Sequence, residues 1–170
     1  MTTQTGGVER RQALNQRIQA FSIELQQASK LPPRLIELVR LRIAFHNQCR
    51  PCMSMRSGAA LDDGLTEDTV CALARPEQAT GLSLAEQAAL AFADRFATDH
   101  LAIDAALMDR LRRHFDDDAL AELGALAGCF VGFGRMGAVL DDGADWPVGA
   151  RRSDGARLAP WQVADPLVLR

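Results

Sequence analysis

Between Pro33 and His46 the chain reads PRLIELVRLRIAFH, a helix-length run whose apolar residues cover most of its circumference. A helix of that kind belongs inside a core. Its polar exceptions Arg34, Glu37 and Arg40 recur every third residue and form one narrow stripe. Upstream, Leu14, Ile18, Phe21 and Leu25 stand at 4-3-4 spacing, which predicts a first helix over roughly 10–28. Pro32 and Pro33 separate the two helices: neither can continue a helical ladder, and Pro33 suits the first turn of the second.

Downstream the same period recurs. Asn47 and Gln48 interrupt it before Cys49, and Pro51 sits where a first helical turn tolerates proline. A third helix is therefore expected over about 50–62, stopping before Gly64. A fourth begins at Thr66, with Glu67 and Asp68 near its positive end and Leu65 and Val70 spaced as a hydrophobic staple. Ser83-Leu84-Ala85-Glu86 is a capping box for a fifth, reaching about Thr98. Asp104 caps a sixth, on which Leu107, Met108, Leu111 and Phe115 share a face. Asp116, Asp117 and Asp118 start a long last helix, about 118–141. In it Gly124, Gly128 and Gly132 repeat every fourth residue, which predicts close approach of another backbone and ordinary tight packing. Beyond Asp142 the period fails. No strand alternation is visible, so the expected fold is all-α, a single-domain bundle of about seven helices. The expected organisation is a flexible N-terminus over about 1–9, a helical domain over about 10–142, and an irregular tail over about 143–170. Trp146 and Trp161 are the expected anchors of that tail.

Length and composition narrow the class. A chain of 170 residues, 48% of them apolar, can bury a core without staples. A net charge of −3 gives no basic surface for nucleic acid or anionic membrane. The stretch from Leu120 to Leu140 is broken by Glu122, five glycines and Arg135, and reads as a buried helix rather than a membrane span. The N-terminal charges precede no apolar segment, so no secretory signal is expected and the expected compartment is the cytoplasm. In that compartment four cysteines point to catalysis, metal or an inert core rather than to a disulfide scaffold.

The chemistry concentrates at Cys49-Arg50-Pro51-Cys52. Two thiols three residues apart at a helix start can close into a small disulfide ring and reopen. The helix terminus and neighbouring cations favour the reactive thiolate. Arg50 is adjacent, and Arg56 would lie one turn beyond Cys52 on the same helix face. A structural zinc needs four ligands, yet neither Cys71 nor Cys129 belongs to a second C-x-x-C, and His46 would supply only one more. No metal and no cofactor are expected. The polar neighbours Asn47, Gln48 and Arg50 argue against inert core cysteines, whereas Cys71 and Cys129, among apolar neighbours, read as core. His100 and His114 stand near helix ends with no chemistry assigned to them.

The run ELVRLRIA from Glu37, four residues, then Cys49-x-x-Cys52 and Gly64-Leu65-Thr66 resembles the alkylhydroperoxidase D-like and carboxymuconolactone decarboxylase superfamily. Leu84-x-Glu86 and Phe133-Gly134-Arg135 add to the likeness, which covers about residues 15–140. The resemblance implies an all-α subunit assembling into trimers or hexamers. It also implies a peroxidase-like oxidoreductase that reduces hydroperoxides and is recharged by a thiol or lipoyl-type reductant. Cys52 then matches the thiol that attacks peroxide, and Cys49 the more exposed partner that resolves the intermediate and meets the reductant. Glu37 matches the carboxylate of a proton relay. Where such peroxidases usually carry histidine, four residues after the second cysteine, this chain has Arg56. A guanidinium can hold a thiolate and pair with Glu37, but it cannot return a proton. His46 is the substitute relay, if the turn brings it over the pair. Two alternatives stay open: a thiol–disulfide oxidoreductase acting on a protein or small disulfide, and a non-catalytic redox sensor or scaffold whose relay decayed at Arg56. Lactone decarboxylation is not expected, because the decarboxylases do not rely on such a pair.

Overall fold

The computed structural model describes residues 4–140 and 157–170. Among these it contains eight α-helices: α1 (Gln4–Ala28), α2 (Pro33–Asn47), α3 (Arg50–Met53), α4 (Gly58–Asp62), α5 (Glu67–Ala72), α6 (Leu84–Thr98), α7 (Ala105–Arg112) and α8 (Asp117–Leu140). Two three-residue strands, β1 (Met55–Ser57) and β2 (Leu167–Leu169), pair in parallel. The all-α class expected from the periodicity is the class observed. The chain divides into two compact units, Met1–Lys30 and Leu31–Arg170. The first holds α1, which reaches back to Gln4 rather than starting near residue 10.

In the second unit α2 is the core helix, packed against α6, α8 and α4. Leu35, Ile36, Leu38, Val39, Leu41, Ile43 and Ala44 are all buried. At about 1.5–3 kcal/mol for each large apolar side chain removed from water, this helix is a major source of the fold's stability. Leu38 and Leu41 join Ala60, Leu65, Val70, Leu73, Leu82 and Leu90 in one cluster, with Trp161 packed on its edge. The local start signals act as the sequence indicates. Ser83 and Glu86 form a reciprocal capping box on α6. Thr66 caps α5 and Asp104 caps α7.

Four expectations are corrected. The helix expected over about 50–62 is broken: α3 ends at Met53, and Met55–Ser57 is extended where β2 pairs with it in register Met55↔Leu167, Arg56↔Val168, Ser57↔Leu169. The Ser57 side chain then caps α4 by accepting from the Ala60 N–H. The end of the chain is accordingly not wholly irregular; it contains a 3₁₀ turn, Pro160–Gln162, and β2. Trp146 and the boundary near 142 lie outside the described residues. Cys71 is exposed and Cys129 only partly buried, so neither is a core residue.

The fourth correction concerns the glycines of α8. A methyl at Gly124, Gly128 or Gly132 would meet nothing within 4 Å, so no backbone among the described residues of the second unit approaches that stripe. The close approach is elsewhere. At Gly134 a methyl would collide with the Asn47 side-chain amide, whose nitrogen donates to the Phe130 carbonyl at 3.0 Å. Gly134→Ala is expected to cost about 1–3 kcal/mol, the range for forcing atoms into a filled site. Gly128→Ala has free space and is expected to gain up to about 1 kcal/mol of helix propensity. Urea unfolding of the two variants checks both signs, and the reverse order would contradict this packing. By length and composition α8 is apolar enough to cross a membrane; 28% of its most apolar window is buried here, and the buried face is Leu123, Leu126, Ala127, Phe130 and Gly134.

Candidate active site

The end of α2 sets the site up. Gln48 adopts a left-handed backbone with φ 55°, and its N–H and that of Cys49 bond back to Phe45 and Ala44 carbonyls at 3.2 and 3.1 Å. That conformation costs a non-glycine residue roughly 1–2 kcal/mol. Here the Gln48 side chain adds bonds: its amide nitrogen donates to the Leu158 carbonyl at 3.1 Å, and the Leu158 N–H donates to its oxygen at 3.0 Å. The turn reverses the chain into α3. Pro51 lies in the first turn of α3, where its missing N–H is not needed.

Cys49 and Cys52 form a disulfide, S–S 2.03 Å, with Cα atoms 5.3 Å apart. Their exposures differ. Cys49 is 0% exposed, and a methyl at Gly137 of α8 would stand 3.3 Å from its Sγ. Cys52 is half-buried and packs on the small cluster of Ala44, Met53 and Leu158, beside Phe45. This reverses the exposure order expected for the pair, because α8 closes over the first cysteine and leaves the second toward the surface.

A helix of four residues has almost no hydrogen bonds of its own, so its carbonyl end needs outside donors. Two guanidiniums provide them, Arg40 partly buried and Arg56 fully so. Arg40 donates to the Cys52 carbonyl at 2.6 Å and the Met55 carbonyl at 2.9 Å. Its remaining donors grip both oxygens of Glu37, at 2.6 and 2.7 Å. Glu37 is 1% exposed and also accepts the Ser57 N–H at 3.0 Å. The Glu37–Arg40 pair is therefore a clamp reaching from α2 to the back of the disulfide turn, with Glu37 buried at its centre.

Arg56 is the second donor, and it does not pair with Glu37. It is 1% exposed and makes a forked ion pair with Glu67 at 2.9 and 3.0 Å. Its other N–H groups donate to the carbonyls of Met53 at 2.9 Å, Met55 at 3.0 Å and Pro160 at 2.9 Å. All five guanidinium donors are thus committed. Because Arg56 lies on β1, the expected turn of helix carrying it past Cys52 does not exist.

The structure does not bring His46 to the disulfide. At about 100° per residue, His46 projects from α2 about 160° away from Ala44, which faces the Cys52 cluster. Its Nε2 lies 2.6 Å from Asp94 Oδ1, and Arg42 grips the same carboxylate at 2.5 and 3.1 Å. Burial pushes the Asp94 carboxyl upward, but the bonds from His46 and Arg42 outweigh it and hold the carboxyl below its ordinary range. A carboxyl depressed by folding contributes stability above its unfolded-state pKa and loses it as pH falls through the folded value. Asp94→Asn is therefore expected to be less stable than wild type at neutral pH, with the gap closing below about pH 4. Circular dichroism unfolding across that range measures it; a gap that stays constant into acid would contradict the assignment. Sequence periodicity alone would not single out Asp94 or Glu67, since each is an ordinary charged residue on a helix surface pattern, whereas Arg40 shares the polar stripe of Glu37 on the buried helix. Among the described residues no group of three or more His, Cys, Asp or Glu side chains is placed to hold a metal ion.

Comparison with known proteins places this geometry. The model of the carboxymuconolactone decarboxylase family matches residues 12–95, which include the disulfide, Glu37, Arg40 and Asp94. Two curated relatives are the uncharacterised proteins Rv2313c of Mycobacterium tuberculosis H37Rv and YnjA of Escherichia coli K12. Rv2313c is 39% identical over 95 residues, 55% of this chain and 33% of its own. YnjA is 35% identical over 100 residues, 59% of this chain and 55% of its own. The matched region thus spans a third to about half the length of these relatives. Among solved structures, ATU0492 of Agrobacterium tumefaciens, described as of unknown function and as a candidate AhpD antioxidant defence protein, superposes with a TM-score of 0.66. It is 21% identical, and the match covers 79% of this chain and 91% of that one; at that identity the likeness speaks to the fold. With the C-x-x-C turn and the buried glutamate twelve residues before it both inside the matched stretch, residues 12–95 of this chain are similar to the carboxymuconolactone decarboxylase family, and the all-α fold is shared with ATU0492.

Proposed function

We propose that the protein is a thiol-dependent, peroxidase-like oxidoreductase that reduces hydroperoxides through a Cys49–Cys52 dithiol/disulfide cycle. The observation that carries this reading is the closed disulfide with one cysteine buried and the other half-buried. In the reduced protein the Cys52 thiolate attacks the distal peroxide oxygen, the O–O bond breaks, and the departing alkoxide or hydroxide takes one proton from solvent to leave as alcohol or water. The resulting sulfenic acid condenses with the Cys49 thiol, releasing water and closing the ring. A thiol or lipoyl-type reductant reopens it. Self-association into a homo-oligomer belongs to the same reading, supported by the resemblance to the superfamily.

Stopped-flow reduction of hydrogen peroxide and of an organic hydroperoxide, with dithiothreitol as reductant, tests it. Turnover is expected in wild type and is expected to fall to the uncatalysed background in Cys52→Ser. Equal rates in the two proteins would remove peroxidase activity.

A second reading, thiol–disulfide exchange on a protein or small disulfide, is favoured by one observation. Glu37 is clamped by Arg40 and His46 is held by Asp94, so neither carboxylate nor imidazole stands ready to deliver a proton. An alkoxide leaving a peroxide needs that proton; a departing thiolate does not. A mixed disulfide with a disulfide substrate, accumulating faster than any peroxide turnover, would select this second reading.

A further inference from the structure

We propose that reductant enters the disulfide at Cys52 Sγ and that the buried Cys49 Sγ is the sulfur that leaves. This order is opposite to the one the superfamily resemblance implies. It deepens the dithiol cycle proposed above and rests on it. A thiolate attacks a disulfide in line with the S–S bond, so it needs open space on the far side of the sulfur it strikes. At Cys49 that space is absent. The residue has no exposed surface, its N–H is tied to the Ala44 carbonyl at 3.1 Å, and α8 passes so near that even a methyl at Gly137 would lie only 3.3 Å from its sulfur. Cys52 is half-buried, with Leu158 and Phe45 at its edge.

The exchange is balanced as follows. The reductant thiolate bonds to Cys52 Sγ, the Cys49–Cys52 bond breaks, and its electron pair passes to Cys49 Sγ as a thiolate. A second reductant thiolate then attacks the reductant sulfur of the mixed disulfide. It frees Cys52 as a thiolate and leaves the oxidised reductant as a disulfide. Two electrons enter the protein, and two thiols of the reductant are oxidised. Cys52 is thus the outward sulfur in both halves of the cycle, while Cys49 only opens and recloses the ring from inside.

The test uses the oxidised wild-type protein mixed with glutathione and quenched after milliseconds in acidic denaturant containing N-ethylmaleimide. Fragmentation of the tryptic peptide 43–56, which carries Cys49 and Cys52 and neither other cysteine, locates the two labels. Glutathione is expected on Cys52 and maleimide on Cys49. Glutathione equally or mainly on Cys49 would overturn the inference and leave the dithiol cycle standing. A mixed disulfide on neither cysteine would sink the dithiol cycle itself. Single-cysteine variants give an independent reading against oxidised glutathione. Cys52 in Cys49→Ser is expected to exchange at least about tenfold faster than Cys49 in Cys52→Ser, because the latter reacts only from an opened form. Comparable or reversed rates would count against the order.

Discussion

Glu37→Ala is expected to destabilise the protein by about 3–5 kcal/mol, the cost of leaving a buried charge without its partner. Arg40 would lose both carboxylate oxygens, now 2.6 and 2.7 Å away, and its side chain is only 14% exposed. Water can compensate little of that loss. The Ser57 N–H would lose its acceptor as well. For a chain of this size the change corresponds to a fall in Tm of roughly 6–20 °C. Because Arg40 also holds the Cys52 carbonyl, the loosened clamp should make the disulfide turn easier to reduce. Thermal unfolding of the oxidised protein measures the first effect and the rate of reduction by dithiothreitol the second. A double-mutant cycle with Arg40→Met should return a coupling of about 2–3 kcal/mol. A Glu37→Ala protein within about 1 kcal/mol of wild type would show that the pair is weakly coupled after all.

Arg56→Ala has the next largest expected effect, about 2–4 kcal/mol. Its removal leaves the carbonyls of Met53, Met55 and Pro160 without their charged donor, at about 1–3 kcal/mol for each that stays buried and unsatisfied. Glu67 suffers less, being 49% exposed. Arg56→His is the sharper experiment, since histidine is the residue expected here in a peroxidase of this superfamily. If Arg56 were merely a decayed relay, histidine should raise peroxide turnover. The structure assigns Arg56 to five bonds that an imidazole cannot reproduce, so turnover is expected to stay at or below the wild-type rate while stability falls. Loss of the Pro160 bond should also speed proteolytic cleavage near the 3₁₀ turn Pro160–Gln162. Higher turnover at unchanged stability would restore the decayed-relay reading.

Much of the helical framework was legible because its signals are local. Ser83 with Glu86, Thr66 and Asp104 each satisfy N–H groups three residues away, so residue type and spacing suffice to place them. The apolar circumference of α2 likewise states its own burial. The break between α3 and α4 was not legible, because it depends on β2, more than a hundred residues later, pairing with Met55–Ser57. The glycines of α8 show the same division. Their spacing suggested a contact at Gly124, Gly128 and Gly132, whereas the contacts fall at Gly134 and Gly137, where Asn47 and Cys49 happen to approach.

The disulfide follows that rule too. Sequence alone determined that Cys49 and Cys52 lie within reach of one another at a helix start, since three residues and one proline settle that distance. It also determined the buried helix that carries Glu37 and Arg40. Only the tertiary structure decided which sulfur faces out, that Arg56 takes Glu67 rather than Glu37, and that His46 turns to Asp94. Those outcomes depend on which element packs across the turn, and α8, α6 and the chain end come from distant sequence. A side chain's type sets what it can bond; its partner is whatever the fold places within about 3 Å of it.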